Sequence, residues 1–303
     1  MQCQDLPRHP ARPETPAQRL KPVGLASADA MTGLAERWRL QELRECVSAL
    51  WPEWSVECVP TIDSTNSELM RRLRAGQVTS GVLVAERQSA GRGRLGRVWL
   101  GATSDAPGQL PGSLTFSLAV ELGSDRWSGL SLAVGVAVAQ SLHAGIGLKW
   151  PNDLWWQDRK LAGILIETAN MGEHRYAVIG VGINITPRAS QGLATLPACL
   201  QELLPGIDAA AALLRIVPAL ADALGQFETR GLAPFLALYR ERDVLAGRSI
   251  ALSDGTRGAA AGVDVSGALL VHTSTGMLTI NSSEVSVRPL SMLPSPTDGP
   301  PVP

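Results

Sequence analysis

The chain has 303 residues, of which 45% are hydrophobic, and a formal net charge of −1 at pH 7. A chain of this length suits one sizeable core and a small second domain. The near-zero charge argues against a protein held to nucleic acid by bulk electrostatics, because a phosphate backbone is usually met by a clearly basic face.

The ends of the chain and its cysteines indicate the compartment. Residues 1–33 are predicted to form a disordered extension, rich in proline near its start, and Met31 is an alternative start. The cysteines are scattered without a CxxC pair, which predicts neither a zinc site nor a disulfide framework. They are Cys3, Cys46, Cys58 and Cys199, and this scattering fits a reducing compartment.

No apolar run reaches the roughly 18 residues of a membrane span. Together with the cysteines, this leads us to expect a cytoplasmic protein.

The first half of the chain alternates helices and strands. Apolar residues at three-to-four spacing predict one helix over residues 34–50. A capping box then predicts a helix over 66–75, a buried strand is predicted at 81–86, and an alternating strand is predicted at 113–120. The basic stretch 90–97 is therefore a loop between strands.

The second half continues with a buried helix over 127–144 and a series of short strands. The predicted strands are 148–150, 154–156, 161–167 and 177–185. Two further helices are predicted, 209–229 and 234–242, after which short strands with glycine turns mark a small all-β domain. These elements predict a first domain over 34–244, a second over 245–291 and a disordered tail over 292–303.

The loop between the strands carries Arg92, Arg94 and Arg97 alternating with glycines. The backbone can therefore approach a ligand closely while guanidinium groups face phosphate or carboxylate oxygens. An RNA-binding Gly/Arg segment or a solvated charged loop would have a similar composition, but Gly/Arg segments usually lie in disordered, basic surroundings. The position between strands of a neutral chain favours an ordered anion site.

Two lysines begin predicted strands that are otherwise apolar. Lys149 begins the segment KWPND and Lys160 the segment KLAGILIE. Such a lysine must keep its ammonium in a polar pocket, because unpaired burial is costly, and ligand contact is one way to meet that need. The alternatives are that Lys160 is a solvated turn residue and that Lys149 pairs with Asp153 in a structural salt bridge.

Two other segments could contact a small molecule. The polar run at residues 61–66 can cap a helix and also present hydroxyl, amide and backbone N–H groups to a ligand. The strand over 178–185 has glycines at alternate positions, Gly180 and Gly182, which leave room for a flat ligand against the backbone. A simple helix cap and a closely packed core strand are the alternatives.

Together and in this order, these segments resemble the biotin protein ligase family. The motifs are DSTN (63–66), AERQSAGRGRLGRVW (85–99), KWPNDL (149–154), KLAGILIE (160–167) and GVGINI (180–185). Residues 258–290 look, less sharply, like the family's C-terminal domain. The resemblance implies an α+β fold with a mixed, largely antiparallel sheet (the biotin/lipoate ligase-like catalytic domain) and a small SH3-like β-barrel.

The chain departs from the family pattern at two places. Leu95 stands where some members carry another arginine. The region before residue 63 has room for only one helix, whereas members that double as repressors carry a DNA-binding domain there, so we expect no DNA binding.

The resemblance also implies individual site residues. Those for biotin are Ser64, Thr65, Asn66, Gln88, Gly91, Arg92, Gly93, Arg94, Lys160 and Gly163, and Gln88 would contact the ureido head. Those for ATP are Arg94, Arg97, Trp99, Asn152, Lys160 and Asn184, and Trp99 would stack over the adenylate. Arg92, Arg94, Lys149 and Lys160 would supply the catalytic charge. No protein nucleophile and no protein metal site are expected.

The implied reaction activates biotin with ATP and Mg²⁺ and passes it from the adenylate to a lysine of a carrier. The implied carrier is the biotin carboxyl carrier protein of acetyl-CoA carboxylase, and the resemblance leaves a homodimer open. A lipoate–protein ligase is the nearest rival, since it shares the reaction logic. A non-enzymatic RNA-binding protein with a Gly/Arg loop is the rival from another class.

Overall fold

The computed structural model describes residues 28–77, 80–102, 109–123, 127–187, 197–281 and 287–290. Most of the predicted N-terminal extension and the whole predicted tail over 292–303 lie outside these residues. Their disorder stays a prediction.

Two helices, α1 (Ala28–Arg37) and α2 (Leu40–Ser48), occupy the region predicted as a single helix over 34–50. The single-helix prediction is wrong because Arg39, between the two helices, has a φ of 51°. This left-handed conformation interrupts an α-helix. The buried apolar residues keep their three-to-four spacing across the break, so the periodicity alone did not reveal it. Helix α1 also begins before the predicted start at residue 34.

A seven-stranded sheet forms the centre of the larger domain, in the order β1-β2-β3-β7-β6-β5-β4. The strands are β1 (Ser55–Ile62), β2 (Gly81–Gln88), β3 (Ser113–Glu121), β4 (Gly147–Lys149), β5 (Asp153–Trp156), β6 (Arg159–Met171) and β7 (His174–Asn184). The β1–β2 pair is parallel and the other neighbours are antiparallel. The mixed, largely antiparallel sheet of the prediction is confirmed.

The two faces of the sheet have different roles, because alternate residues of a strand point to opposite sides. On one face, Val181 and Ile183 join the main core with α4 (Leu130–Leu142) and α5 (Ala209–Arg230). The other face carries α3 (Thr65–Arg74) over one end only. The space beside α3 on this second face holds the candidate site.

Helix α5 is the only helix among the described residues that is long and apolar enough to cross a membrane by length and composition. This differs from the expectation that no segment reaches that length. The helix packs against α2 and α4, and its buried side chains, which include Leu213, Leu220 and Phe227, belong to the main core. It therefore has the packing of a core helix.

A short helix and a five-stranded sheet complete the described chain. Helix α6 (Leu236–Arg240) follows a 3-10 turn and is shorter than the predicted helix over 234–242. The strands are β8 (Ser249–Leu252), β9 (Arg257–Val263), β10 (Leu269–Thr273), β11 (Gly276–Ile280) and β12 (Val287–Pro289). They pair antiparallel in the order β11-β10-β9-β8-β12, which confirms a small C-terminal β domain.

The small domain docks beside the start of β5. The indole Nε1 of Trp150 donates a buried hydrogen bond of 3.0 Å to the carbonyl oxygen of Gly267, and Ser128 donates to the carbonyl of Ser266. Both acceptors lie in the turn between β9 and β10. This turn therefore fixes the small domain next to the KWPND segment.

Candidate active site

A pocket opens on the sheet face beside α3 and gathers most of the predicted site residues. The predicted residues that line it are Ser64, Thr65, Asn66, Gln88, Arg92, Gly93, Arg94, Arg97, Trp99, Lys149, Asn152, Lys160 and Gly163. Motifs separated by up to about a hundred residues along the chain therefore meet in one cavity.

A buried hydrogen-bond network forms the wall of the pocket at the start of α3. The Gln88 side-chain oxygen accepts from the backbone N–H of Thr65 at 2.7 Å. The Thr65 hydroxyl lies 2.6 Å from the Ser117 hydroxyl, which donates to Asn66 Oδ1 at 2.6 Å. Ser64 caps the helix through its side chain. Because their partners are fixed, these groups are held in one orientation before any ligand arrives.

The Arg/Gly loop is a closed hairpin. Arg92 and Val98 form an isolated antiparallel bridge, and the N–H of Trp99 donates to the carbonyl of Gly91 at 2.9 Å. A Cβ on Gly91 would lie 2.3 Å from the Trp99 carbonyl oxygen, so only glycine allows the two arms to approach this closely. At the tip, Leu95 has a φ of 56° and is 52% exposed.

Two arginines of the loop contact the body of the domain. The Arg92 guanidinium binds both carboxylate oxygens of Glu167 at 3.0 and 3.1 Å. Arg94 donates to Asn152 Oδ1 at 3.2 Å, and Asn152 is oriented by its own bond to the Ile164 carbonyl at 2.7 Å. Burial lowers the pKa of Arg94, the nearby Asp153 opposes this, and the guanidinium stays charged.

Lys160 lies in the pocket in an ion pair with Asp153, with 2.7 Å between Nζ and Oδ1. Its ammonium is 6.0 Å from the centre of the Trp99 ring. A Cβ on Gly163 would come within 3.2 Å of this ammonium, so the glycine makes room for the lysine. The structure thus pairs Asp153 with Lys160, whereas the alternative considered from the sequence paired it with Lys149.

Lys149 lies on the same wall with its ammonium 5.1 Å from the centre of the Trp155 ring. Burial lowers its pKa to about 8, Lys160 and Arg97 act in the same direction, and Asp153 opposes them. Among the described residues, no carboxylate lies within ion-pair distance of this ammonium. A buried cation in that position favours an anionic ligand.

Trp99 occupies the space that the alternating glycines of β7 leave. A Cβ on Gly182 would lie 2.4 Å from the indole, and a Cβ on Gly180 would lie 2.3 Å from Asn66 Oδ1. The space that was predicted from the sequence to hold a flat ligand is filled here by the indole at Gly182 and by the Asn66 side chain at Gly180.

Two predicted residues do not line the pocket. Gly91 serves the backbone packing of the loop. Asn184 is buried and donates to the carbonyl oxygens of Lys160 and Ala198, which ties β7 to the start of β6. Its proposed contact with ATP stays a prediction.

Sequence reasoning missed several residues at or beside the pocket, namely Thr115, Ser117, Glu167 and Val287, and it considered Asp153 only as a structural partner of Lys149. Thr115 and Ser117 alternate with apolar residues along β3, and this alternation in a buried strand is a signal that could have found them. Nothing in the sequence indicated Val287, because it comes from the other domain.

The arrangement defines a class of protein, one that binds a small anionic ligand in a cleft. Fixed hydroxyl and amide groups lie on one wall, and Arg94, Lys149 and Lys160 provide positive charge on another. Such a site can hold a polar head group and stabilise negative charge that develops on oxygen. No group of three His, Cys, Asp or Glu side chains that could hold a metal ion occurs in the described part of the chain.

Comparison with known proteins identifies the family. The profile of the biotin/lipoate A/B protein ligase family matches residues 58–184, and that of the biotin protein ligase C-terminal domain matches residues 247–288. The bifunctional ligase/repressor BirA of Escherichia coli is 36% identical over 249 residues, covering 77% of this chain and 74% of BirA. The biotin--[acetyl-CoA-carboxylase] ligase of Paracoccus denitrificans is 33% identical and covers 74% of this chain and 96% of its own length.

Among solved structures, the biotin protein ligase from Aquifex aeolicus in complex with biotin and ATP is similar, with a TM-score of 0.64 and 27% identity. The match covers 77% of this chain and 97% of that one. The chain belongs to the biotin protein ligase family. The family, the fold class and the ligase class of enzyme predicted from the motifs are confirmed.

Proposed function

We propose that the chain joins biotin to a carrier-protein lysine in two steps. A biotin carboxylate oxygen attacks the α-phosphorus of ATP, the bond from that phosphorus to the bridging oxygen breaks, and pyrophosphate leaves. The uncharged lysine amine then attacks the carboxyl carbon of biotinyl-AMP, forms the amide, gives up a proton and releases AMP. Both steps develop negative charge on oxygen.

The observation that carries the proposal is the convergence of the fixed polar wall and the cationic wall in one cavity. The groups at Ser64, Thr65, Asn66 and Gln88 suit the polar head of biotin. Arg94 and Lys160 suit the oxygens that react, and Lys149 suits the phosphates. Trp99 supplies a flat surface for the adenine ring.

Magnesium fits this site only as a companion of the nucleotide. Asp153 is the acidic residue that lines the pocket, and its carboxylate is engaged by Lys160. Mg²⁺ is usually held by substrate phosphates and water with one or two carboxylates. When bound, it would offset charge on the triphosphate, while the side chains orient the two substrates.

The carrier that we propose is the biotin carboxyl carrier protein of acetyl-CoA carboxylase. The name of the Paracoccus relative, a biotin--[acetyl-CoA-carboxylase] ligase that aligns over 96% of its length, supports this carrier. The cytoplasmic location, the absence of DNA binding and the homodimer stay predictions.

The test is exchange of labelled pyrophosphate into ATP with the purified chain, measured with biotin, with lipoate and with neither acid. Exchange that requires biotin is expected. Exchange with lipoate in preference to biotin would contradict the proposed substrate, and binding of RNA without any exchange would support the non-enzymatic rival.

A further inference from the structure

Glu167 lies behind the loop and contacts both the loop and the polar wall. Its two oxygens accept from the two terminal nitrogens of Arg92, and Oε2 also accepts from Asn66 Nδ2 at 3.1 Å. Arg92 donates in addition to Ser67 Oγ at 3.2 Å. The guanidinium is therefore engaged on both of its terminal nitrogens by protein groups.

This pairing leaves the anion-binding work of the pocket to other cations. A bidentate arginine–carboxylate pair is strong and geometrically specific, and the charge of Arg92 is already offset within the protein. Lys149, by contrast, has no carboxylate within ion-pair distance among the described residues. A ligand carboxylate would have to displace Glu167 to use Arg92.

We propose that Glu167 is a positioning residue that anchors the first arm of the loop through Arg92 and orients Asn66 in the polar wall. Arg92 then acts as the anchor of the loop and not as a ligand of the reacting oxygens. One carboxylate couples the wall that would hold the biotin head to the loop that covers it. This inference rests on the proposed function for its substrate.

A different role for Glu167 would change the KM for biotin of the Glu167→Gln variant in the opposite direction. If Glu167 only occupied Arg92 until the biotin carboxylate replaced it, Glu167→Gln would free the arginine and lower the KM for biotin. If Glu167 positions the loop and Asn66, the same change should raise that KM, because an amide in place of the carboxylate cannot accept from all three donors.

The experiment compares Glu167→Gln with Glu57→Gln in pyrophosphate exchange. Glu57, on β1 and outside the pocket, is a matched control, since both of its oxygens also accept from an arginine, here from the one Nη1 of Arg72 at 3.0 and 3.1 Å. We expect Glu167→Gln to raise the KM for biotin about tenfold with kcat within about twofold, and Glu57→Gln to leave both unchanged. An unchanged or lower KM in Glu167→Gln would overturn the proposal.

Two further measurements separate this inference from the proposed function. Arg92→Gln should also raise the KM for biotin, and the double variant should be no more than about twofold worse than Glu167→Gln alone, because both changes break the same Arg92–Glu167 pair. A loss in kcat alone for Arg92→Gln would instead place Arg92 at the reacting oxygens. Trypsin should cleave the loop faster in Glu167→Gln than in Glu57→Gln, a result that does not depend on which acid the enzyme activates; equal cleavage rates would contradict the anchor.

Discussion

Lys149 and Lys160 enter the same pocket in different electrostatic settings. Lys160 has a carboxylate partner in Asp153, whereas Lys149 rests against the Trp155 ring with a lowered pKa. A paired lysine can be released to a substrate that offers a better anion. A desolvated one destabilises the folded chain until an anion arrives.

Lys160→Ala should slow biotin-dependent pyrophosphate exchange by hundreds-fold, because loss of one electrostatic donor at a developing oxyanion costs about 2–4 kcal/mol. The adjacent Arg159→Ala is the matched control, since Arg159 pairs with Glu202 outside the pocket. Near-normal exchange in a folded Lys160→Ala variant would mean that this lysine is only a turn residue.

Lys149→Met should weaken ATP binding and yet make the protein more stable. In the folded chain the pKa of Lys149 is about 8, below the ordinary lysine value of 10.5, so at pH 7 both the folded and the unfolded chain carry the proton and burial of the charge destabilises the native chain. Removing the charge should add on the order of 1–3 kcal/mol to the free energy of unfolding.

The stabilisation expected for Lys149→Met should decrease as the pH rises. Between about pH 8 and 10.5 the unfolded chain binds the proton that the folded chain has lost, so the stability of the unsubstituted protein rises with pH through this window. The difference in free energy of unfolding between Lys149→Met and the unsubstituted protein, measured by urea unfolding, should therefore become smaller between about pH 8 and 10.5. A variant that is less stable at pH 7 would show that the ammonium is stabilised in place.

At the scale of elements, we expect the loop over residues 91–99 to determine whether the intermediate stays in the pocket. It contacts the body through Arg92, Arg94 and Trp99. We expect Gly91 to Arg97 to close over the adenylate once it forms, because ordering a glycine-rich loop costs entropy that a bound anion can offset.

Arg94→Gly should slow the formation of biotinyl-AMP less than Lys160→Ala does, because Lys160 remains at the reacting oxygens, and should let the adenylate escape before the carrier arrives. Lysines of an unrelated protein mixed with the variant, ATP and biotin should then become biotinylated, as measured by biotin labelling. Leu95→Gly is the control, because it adds a glycine at the exposed neighbouring position, whose φ of 56° suits glycine, without removing a cation. If the Arg94 variant forms the adenylate well but labels no bystander protein, a role of Arg94 in retaining the intermediate is refuted.

The positions of helices and strands could be predicted from the sequence where a single local pattern determines them. The capping box placed α3 within one residue, and the alternating glycines located the site strand β7. The break at Arg39 did not follow, because a single left-handed residue leaves the apolar spacing intact. The role of Glu167 did not follow either, since its partners Arg92 and Asn66 are distant in sequence.

At the scale of the whole molecule, the small domain completes the pocket. Val287 of β12 lines the cavity, and the turn at Gly267 fixes the domain against Trp150. Such contacts between domains depend on docking, which local sequence patterns do not encode, and this is why the sequence predicted the second domain but not its part in the site.

Gly267→Ala should therefore raise the KM for ATP several-fold and lower the melting temperature. An added Cβ would meet Gly129 and Leu232 at 3.0 Å across the domain contact, at a φ of 84° that disfavours alanine. Gly255→Ala is the control, because its φ is 92° but nothing lies within 4 Å of the added carbon. In both variants, backbone strain should lower the free energy of unfolding by about 1 kcal/mol. Only Gly267→Ala should change the KM for ATP, and equal KM values for ATP in the two variants would contradict a role for domain docking in the site.

The central claim is that the biotin carboxylate oxygen becomes bonded to the α-phosphorus of ATP. The most direct test uses biotin labelled with ¹⁸O in both carboxylate oxygens, together with ATP and the carrier, and analyses the released AMP by mass spectrometry. The mechanism predicts one ¹⁸O in each AMP, because the amine displaces AMP with the former carboxylate oxygen attached. Unlabelled AMP, or release of ADP and phosphate in its place, would contradict it.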